Sequence, residues 1–393
     1  MSRHLSDQSA PIPLGGQPTF SSPDAPRVQP VPGTEPQNQA VPPENVLPQR
    51  STATPQDKNP TSPPIAKVER PPVRSIAPVN RILYTLTRGR INRAPSELEE
   101  LRVMRQKYAD AIAAQRYEQE FLFVVMSEIG GIGKTYLTAH ILRLLTVYMR
   151  RAHMLGVDIN NDHGFLAERL GIESSMSLSE TYANLEKLTA LAQMQKHIGG
   201  DAEGVSVISA EPEDHESGIG SDEEMFDAVY RHFRPSVTGM GCDAGTGMLK
   251  LPLNQSALRR SNQVILVTIP GIEGFKSAES MMNTLRVRGF AEHLKNAILV
   301  VSKVPVDELR SKGRTDNSFY HMKQILGGNV SEVLPICLDP YLATRRPVNT
   351  SRLSPLVDTQ YHRIAYEATR GFHTKVPAPP VGPALRTPSP RGA

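Results

Sequence analysis

Cysteine is scarce. Cys242 and Cys337 are the only two in 393 residues. They cannot form a disulfide framework, so a reducing compartment, the cytoplasm, is expected. Histidine is scattered, with no HExxH and no Cys/His cluster, so no structural metal site is expected. No apolar run approaches the ~18–20 residues needed to cross a bilayer. The start, MSRHLSDQSAPIPLGG, has no apolar stretch after its charges, unlike a secretory signal. Charge of one sign is also lacking. Forty-four Lys and Arg against forty Asp and Glu leave a net +4. That balance permits weak contact with nucleic acid or anionic lipid and argues for neither.

Proline is unevenly spread. Of the 34 prolines, most lie in residues 1–78 and 374–393. Residues 1–78 are rich in Pro, Gln, Ser and Thr and poor in large apolar residues, so they cannot repay their ordering entropy. They read as a disordered arm, either a solubilising tail or a partner-docking segment, with polyproline II stretches. Residues 374–393 read as a short disordered tail of the same kind. Between them, 79–118 is expected to be a helical lead-in and 119–373 the core domain.

In the lead-in, Ser96-Glu97-Leu98-Glu99 after Pro95 is a capping-box pattern. Leu98, Leu101, Met104 and Tyr108 recur at three- and four-residue steps, predicting one packed helix face. FLFVVM (121–126) is a continuous apolar run ending in a glycine-rich turn, the pattern of a buried parallel strand. Further strands are expected at 153–160, 204–209, 236–243, 262–270, 296–304 and 331–339. Helices are expected from HGFLAERLGI, at 222–233 and at 277–289. Alternating strands and helices predict an α/β fold, a doubly wound, mostly parallel sheet with helices on both faces.

The turn after FLFVVM reads Gly130-Gly131-Ile132-Gly133-Lys134-Thr135, followed by Tyr136 and an apolar helix. Glycines let backbone N–H groups approach phosphate oxygens, and a helix N-terminus adds positive potential. Lys134 would bridge β- and γ-phosphates and the Thr135 hydroxyl would ligate Mg²⁺. A strict G-x4-GK[ST] loop needs glycine where this chain has Glu128, so the match is to the GGxGKT variant. An ordinary glycine-rich turn is the plainer alternative. Asp158 and Asp243 end strands beside this loop and can hold a Mg²⁺-bound water. Gly245 and Gly247 would allow a switch near the γ-phosphate. The plainer role for either aspartate is capping a turn.

GGIGKT, GVDINND and DAGTG together resemble the MinD/ParA group of P-loop ATPases. TRGRIN, DINNDHGFLAERLG, DAGTGM, PGIEGFKSA and LDPYLA are similar to the actinobacterial, EspI-like branch associated with ESX (type VII) secretion. The resemblance spans roughly residues 80–373. It implies an ATP- and Mg²⁺-binding fold in which ATP drives a face-to-face homodimer and hydrolysis releases it. Lys134 would be the loop lysine, Thr135 the magnesium ligand, Asp243 the acid holding a metal-bound water and Asp158 the first acid of the second-strand motif. A secretion-apparatus partner would meet the Pro-rich arm.

The chain departs from that group at two places. The loop usually reads K-G-G-x-G-K-T, its first lysine reaching the partner's nucleotide; here that residue is Ile129. The second-strand motif often reads D-x-D; here its second acid is Asn160, with Asp162 nearby. Binding with slow hydrolysis is therefore expected, and a nucleotide-gated module with little turnover is the alternative. Ser302-Lys303-Val304 offers no carboxylate for guanine, which favours ATP over GTP. Arg259-Arg260, Arg286, Arg288 and Arg345-Arg346 form either a DNA-contacting face, as a partitioning protein would need, or ordinary surface charge. The acidic stretch 211–216 reads as a solvated insertion, Met281-Met282 as helix packing, and both cysteines as core thiols.

Overall fold

The computed structural model describes residues 78–87, 94–116, 121–149, 152–160, 164–173, 175–189, 193, 196, 198–200, 203–210, 222–246, 252–311 and 317–370. Residues 1–77 of the Pro-rich arm, the 374–393 tail, the 211–216 acidic stretch, Asp162 and Gly247 lie outside them.

Seven strands form one sheet. They are β1 (Leu122–Met126), β2 (Met154–Ile159), β3 (Val205–Ile208), β4 (Gly239–Ala244), β5 (Gln263–Thr268), β6 (Ile298–Val304) and β7 (Glu332–Cys337). Their order is β3-β2-β4-β1-β5-β6-β7. All six neighbouring pairs are parallel. This is the doubly wound α/β arrangement expected from the sequence. Among the described residues, the helices of eight or more residues are α1 (Pro78–Leu86), α2 (Glu97–Ala113), α3 (Lys134–Tyr148), α4 (Asp222–Phe233), α5 (Pro252–Arg260), α6 (Ile272–Val287), α7 (Ser318–Leu326) and α8 (Pro355–Ala368).

Side chains alternate across a strand, so an apolar run feeds two layers at once. In β1, Leu122, Val124 and Met126 join the layer under α4, α5, α6 and α7. Phe123 and Val125 join the layer under α3 and α8. Each such buried side chain contributes roughly 1.5–3 kcal/mol, so β1, buried along its whole length, anchors the turn that follows it. Met281 and Met282 lie in the first layer, as expected. Both cysteines are free and buried. Burial pushes both thiols up.

Several expectations shift. Ser96 does cap α2, accepting from the Glu99 amide. The packed face of α2, however, runs through Leu101, Tyr108, Ala109 and Ile112, while Leu98 and Met104 are exposed. The reason is α8: the Tyr108 ring meets Tyr366, Arg105 pairs with Asp358, and the Thr359 hydroxyl donates to the Leu101 carbonyl. The helix in HGFLAERLGI is short, Leu166–Leu170, and ends at left-handed Gly171. Helix α6 begins at Ile272, five residues before the expected start. Helices α5, α7 and α8 were not expected at all.

Candidate phosphate-binding site

All strands being parallel, their C-terminal ends share one edge. The order reverses at β1, with β4 on one side and β5 on the other, and ligands of such sheets sit at this crevice. The glycine turn leaves β1 there and enters α3 at Lys134.

Local chemistry shapes the turn. The Ser127 hydroxyl accepts from the Ile129 amide at 2.9 Å. Gly131 and Gly133 have φ of 66° and 99°, left-handed values that disfavour any side chain. Ile132 between them is buried in the α3 layer and pins the turn to the core. Gly133 occupies the cap of α3 and supplies no side-chain acceptor. First-turn N–H groups of a helix have no intrahelical acceptor. The result is a short arc of backbone at a helix start, the arrangement that binds phosphate.

Two lysines tie the arc's carbonyls. Buried Lys134 makes a long 3.4 Å contact to the Ile129 carbonyl. Lys303 Nζ donates to the Gly131 carbonyl at 3.0 Å. Lys303, the last residue but one of β6, lies in the left-handed region, φ 61°, a costly conformation for lysine. A Cβ on Gly133 would lie 3.7 Å from the Ser302 hydroxyl. In the sequence, Ser302 and Lys303 bear only on base recognition, and their contact with the loop is not visible there. The strand order is the missing signal, because it brings the end of β6 to within one strand of β1.

Asp243 and Asp158 face one another in register across β4 and β2, and both are buried. Their roles separate. Asp158 accepts from the Leu166 amide at 2.9 Å and the Asn160 amide at 3.2 Å, one bond per oxygen. Both of its oxygens are therefore engaged by backbone amides. Asp243 Oδ1 receives a 3.5 Å approach from the Thr138 hydroxyl, and the Thr135 hydroxyl also faces the carboxyl. Its Oδ2 is buried with no hydrogen-bond partner. Burial raises the carboxyl pKa of both, and the Asp243 charge raises Asp158 further. The Thr135 hydroxyl and the Lys134 charge pull Asp243 partly back. An orphaned carboxylate oxygen beside a hydroxyl is a donor set that suits a hard, oxygen-seeking cation such as Mg²⁺. Among the described residues no cluster of three His, Cys, Asp or Glu could hold a metal by itself.

The remaining predicted residues fall around this centre. A Cβ on Gly130 would lie 3.9 Å from the Thr246 methyl, and a Cβ on Gly245 would press the Asn160 side chain at 2.5 Å. The turns after β2 and β4 therefore touch. The Tyr136 side chain turns away: its hydroxyl donates to the Arg346 carbonyl at 2.5 Å, and Arg169 lies over its ring. Any phosphate contact from Tyr136 is thus through backbone. Glu128 accepts from the Ser280 hydroxyl on α6 at 3.0 Å. Ile129 is half-buried against the α3 layer. Arg259 and Arg260 pair with Glu223 and Asp227 on α4, which fits ordinary structural charge better than a DNA-contacting face. A separate hollow lined by Gly164, Phe165, Glu168 and Ser209 shares no residue with the loop.

No family model matches the chain, and no curated protein matches it in sequence. Solved structures do. A ParA family ATPase from Chlorobium tepidum is 14% identical, with a TM-score of 0.47, over 65% of this chain and 97% of that one. A chain of the MinC:MinD cell division protein complex of Aquifex aeolicus is 16% identical, with a TM-score of 0.46, over 65% and 98%. MinD of Pyrococcus horikoshii, solved with Mg-ADP, is 19% identical, with a TM-score of 0.45, over 63% and 95%.

Proposed function

We propose that this chain is a P-loop ATPase of the MinD/ParA kind that binds MgATP at Gly130–Thr135 and turns it over slowly. The observation that carries this is the loop itself: left-handed Gly131 and Gly133 around a buried Ile132, opening directly onto α3 with Lys134 at its start. In this reading the amides of Gly130 to Tyr136 bind phosphate oxygens. Lys134 gives up its long contact to Ile129 and moves onto the β- and γ-phosphates. Thr135 and Asp243 would hold Mg²⁺, directly or through water. The bound cation supplies charge neutralisation for the transferring phosphoryl group. Gly245 leaves room for the β4 turn to approach it, and Asp158 positions the turn after β2 through its two amide bonds.

Slow turnover follows from Ile129. An apolar side chain packed on the core cannot place a cation on a partner's nucleotide, and losing one such donor costs several kcal/mol at the transition state. That same observation favours the second reading, a nucleotide-gated binding module that dimerises with ATP and acts through partners. The sequence motifs shared with the EspI-like branch support a role beside a type VII secretion apparatus in the cytoplasm, its partner docked by the Pro-rich arm. No helix among the described residues is long and apolar enough to cross a membrane. Calorimetry with MgATP on wild type and Lys134→Ala tests binding, and phosphate release on the same pair tests turnover. Absence of binding by the folded wild type refutes the proposal; binding without Lys134-dependent release leaves the gated module.

A further inference from the structure

The modest net charge of the chain hides one concentrated stretch. From Arg70 through Ser96 there is no Asp or Glu, while Arg70, Arg74, Arg81, Arg88, Arg90 and Arg93 fall within it. All forty acidic residues lie elsewhere, so this stretch more than accounts for the net +4. Helix α1 sits at its centre. Val79, Ile82, Leu83 and Leu86 recur at three- and four-residue steps and share one face. Asn80, Arg81, Tyr84 and Thr85 occupy the other. Among the described residues nothing buries the apolar face: Val79, Ile82 and Leu86 are 67%, 57% and 74% exposed, and no residue of α1 is buried. Each of the helices α2 to α8 carries buried side chains in one of the two core layers.

We propose that α1 is a docking surface for an anionic lipid bilayer, with its aliphatic face in the acyl boundary and Arg81 toward the headgroups, in a stretch of sequence whose only charges are positive. Three alternatives fit less well. A nucleic-acid backbone matches the arginines but offers nothing to Val79, Ile82 and Leu86. A second copy of α1 matches the aliphatic face but brings two acid-free arginine clusters together. A neutral protein groove ignores the charge altogether. A bilayer with acidic headgroups meets both features at once, because binding there scales with buried apolar area plus attraction of basic residues to the surface. The site is independent of the nucleotide loop and does not need it.

The chain has no tryptophan, so Leu86→Trp in the full-length protein is a single fluorescent reporter that keeps the apolar face. With vesicles of phosphatidylcholine and phosphatidylglycerol, its emission should shift to the blue and the protein should co-sediment. With phosphatidylcholine alone, or at high salt, both signals should largely vanish. The double variant Ile82→Glu/Leu86→Glu alters only exposed positions, so its thermal melt should match wild type while its vesicle affinity falls by about tenfold or more. No blue shift and no co-sedimentation of wild type overturns the proposal. So does a double variant that folds and still sediments like wild type. Retention on a short DNA duplex that survives the double variant, without vesicle binding, assigns the stretch to nucleic acid and likewise overturns it.

Discussion

Asp243→Asn should stabilise the ligand-free protein while abolishing its response to MgATP. Asp243 and Asp158 are register partners on adjacent strands, which stand ~4.8 Å apart. Two unit charges at ~5 Å in an effective dielectric of ~20 repel by about 3 kcal/mol. Burial adds to that penalty, since Asp243 Oδ2 has no partner to replace lost water. Asparagine keeps the shape and the Thr138 contact but removes the charge. Its amide must find its own acceptor, which costs about 1–3 kcal/mol, so the net gain is about 0–2 kcal/mol. At ~2–4 °C per kcal/mol for a domain of this class, the melting point rises a few degrees. The sign depends on pH. Both carboxyl pKa values are raised in the folded state, so the folded state holds protons that the unfolded state has already lost. Stability is therefore lost as pH rises from the usual carboxylate range toward the raised values. The gain from Asp243→Asn should accordingly be larger at pH 8 than at pH 5. Thermal melts followed by circular dichroism at the two pH values, with and without MgATP, give all four numbers. Wild type should gain about 3 kcal/mol at ligand a hundredfold over Kd, and the variant far less. An Asp243→Asn protein that melts below wild type at pH 8 without magnesium would refute the account of an uncompensated buried charge.

Three further perturbations separate other parts of the site. Lys303→Gly removes the bond to the Gly131 carbonyl but relieves the left-handed backbone, whereas Lys303→Ala removes the bond and keeps the strain; both should weaken MgATP binding about three- to tenfold, and only the alanine variant should lose thermal stability. Ile129→Lys restores a cationic donor at the loop and should raise steady-state phosphate release at least about tenfold; unchanged release would show that something else limits turnover. His140 is buried, its Nδ1 on the Tyr136 carbonyl and its ring stacked on Tyr361, and burial lowers its pKa to about 4. The unfolded state protonates first on acidification, so stability should fall by about 3 kcal/mol between pH 6.5 and 4, and His140→Phe should flatten that part of a denaturant-midpoint profile.

The fold was largely legible because parallel strands buried on both faces need continuous apolar runs, and FLFVVM, VILV within NQVILVTIP and AILVV within NAILVVSKV supply them. The loop was legible because its glycines answer to backbone geometry, which is local. Helices α5, α7 and α8 escaped because their apolar positions are interrupted by polar residues that find partners only in the folded chain. In α8, Gln360 accepts from the Cys337 amide and Asp358 pairs with Arg105. The packed face of α2 was misjudged for the same reason: Leu98 and Met104 have helical spacing, but the neighbour that decides burial is α8, more than two hundred residues away.

The same distinction explains why the two aspartates looked equivalent in sequence and are not. Both stand near a strand end after small or apolar residues. What separates them is which amides lie within reach. Leu166 and Asn160 present their N–H groups to Asp158, and its two oxygens are thereby committed. No comparable pair of amides among the described residues reaches Asp243; its nearest polar neighbours are hydroxyls and the Lys134 charge, all from the start of α3. An oxygen left bare and buried is unfavourable for the isolated fold. It becomes favourable only when a cation arrives, so Asp243, the acid that the protein leaves unsatisfied, and not Asp158, whose oxygens are already taken, is where a metal is expected to bind.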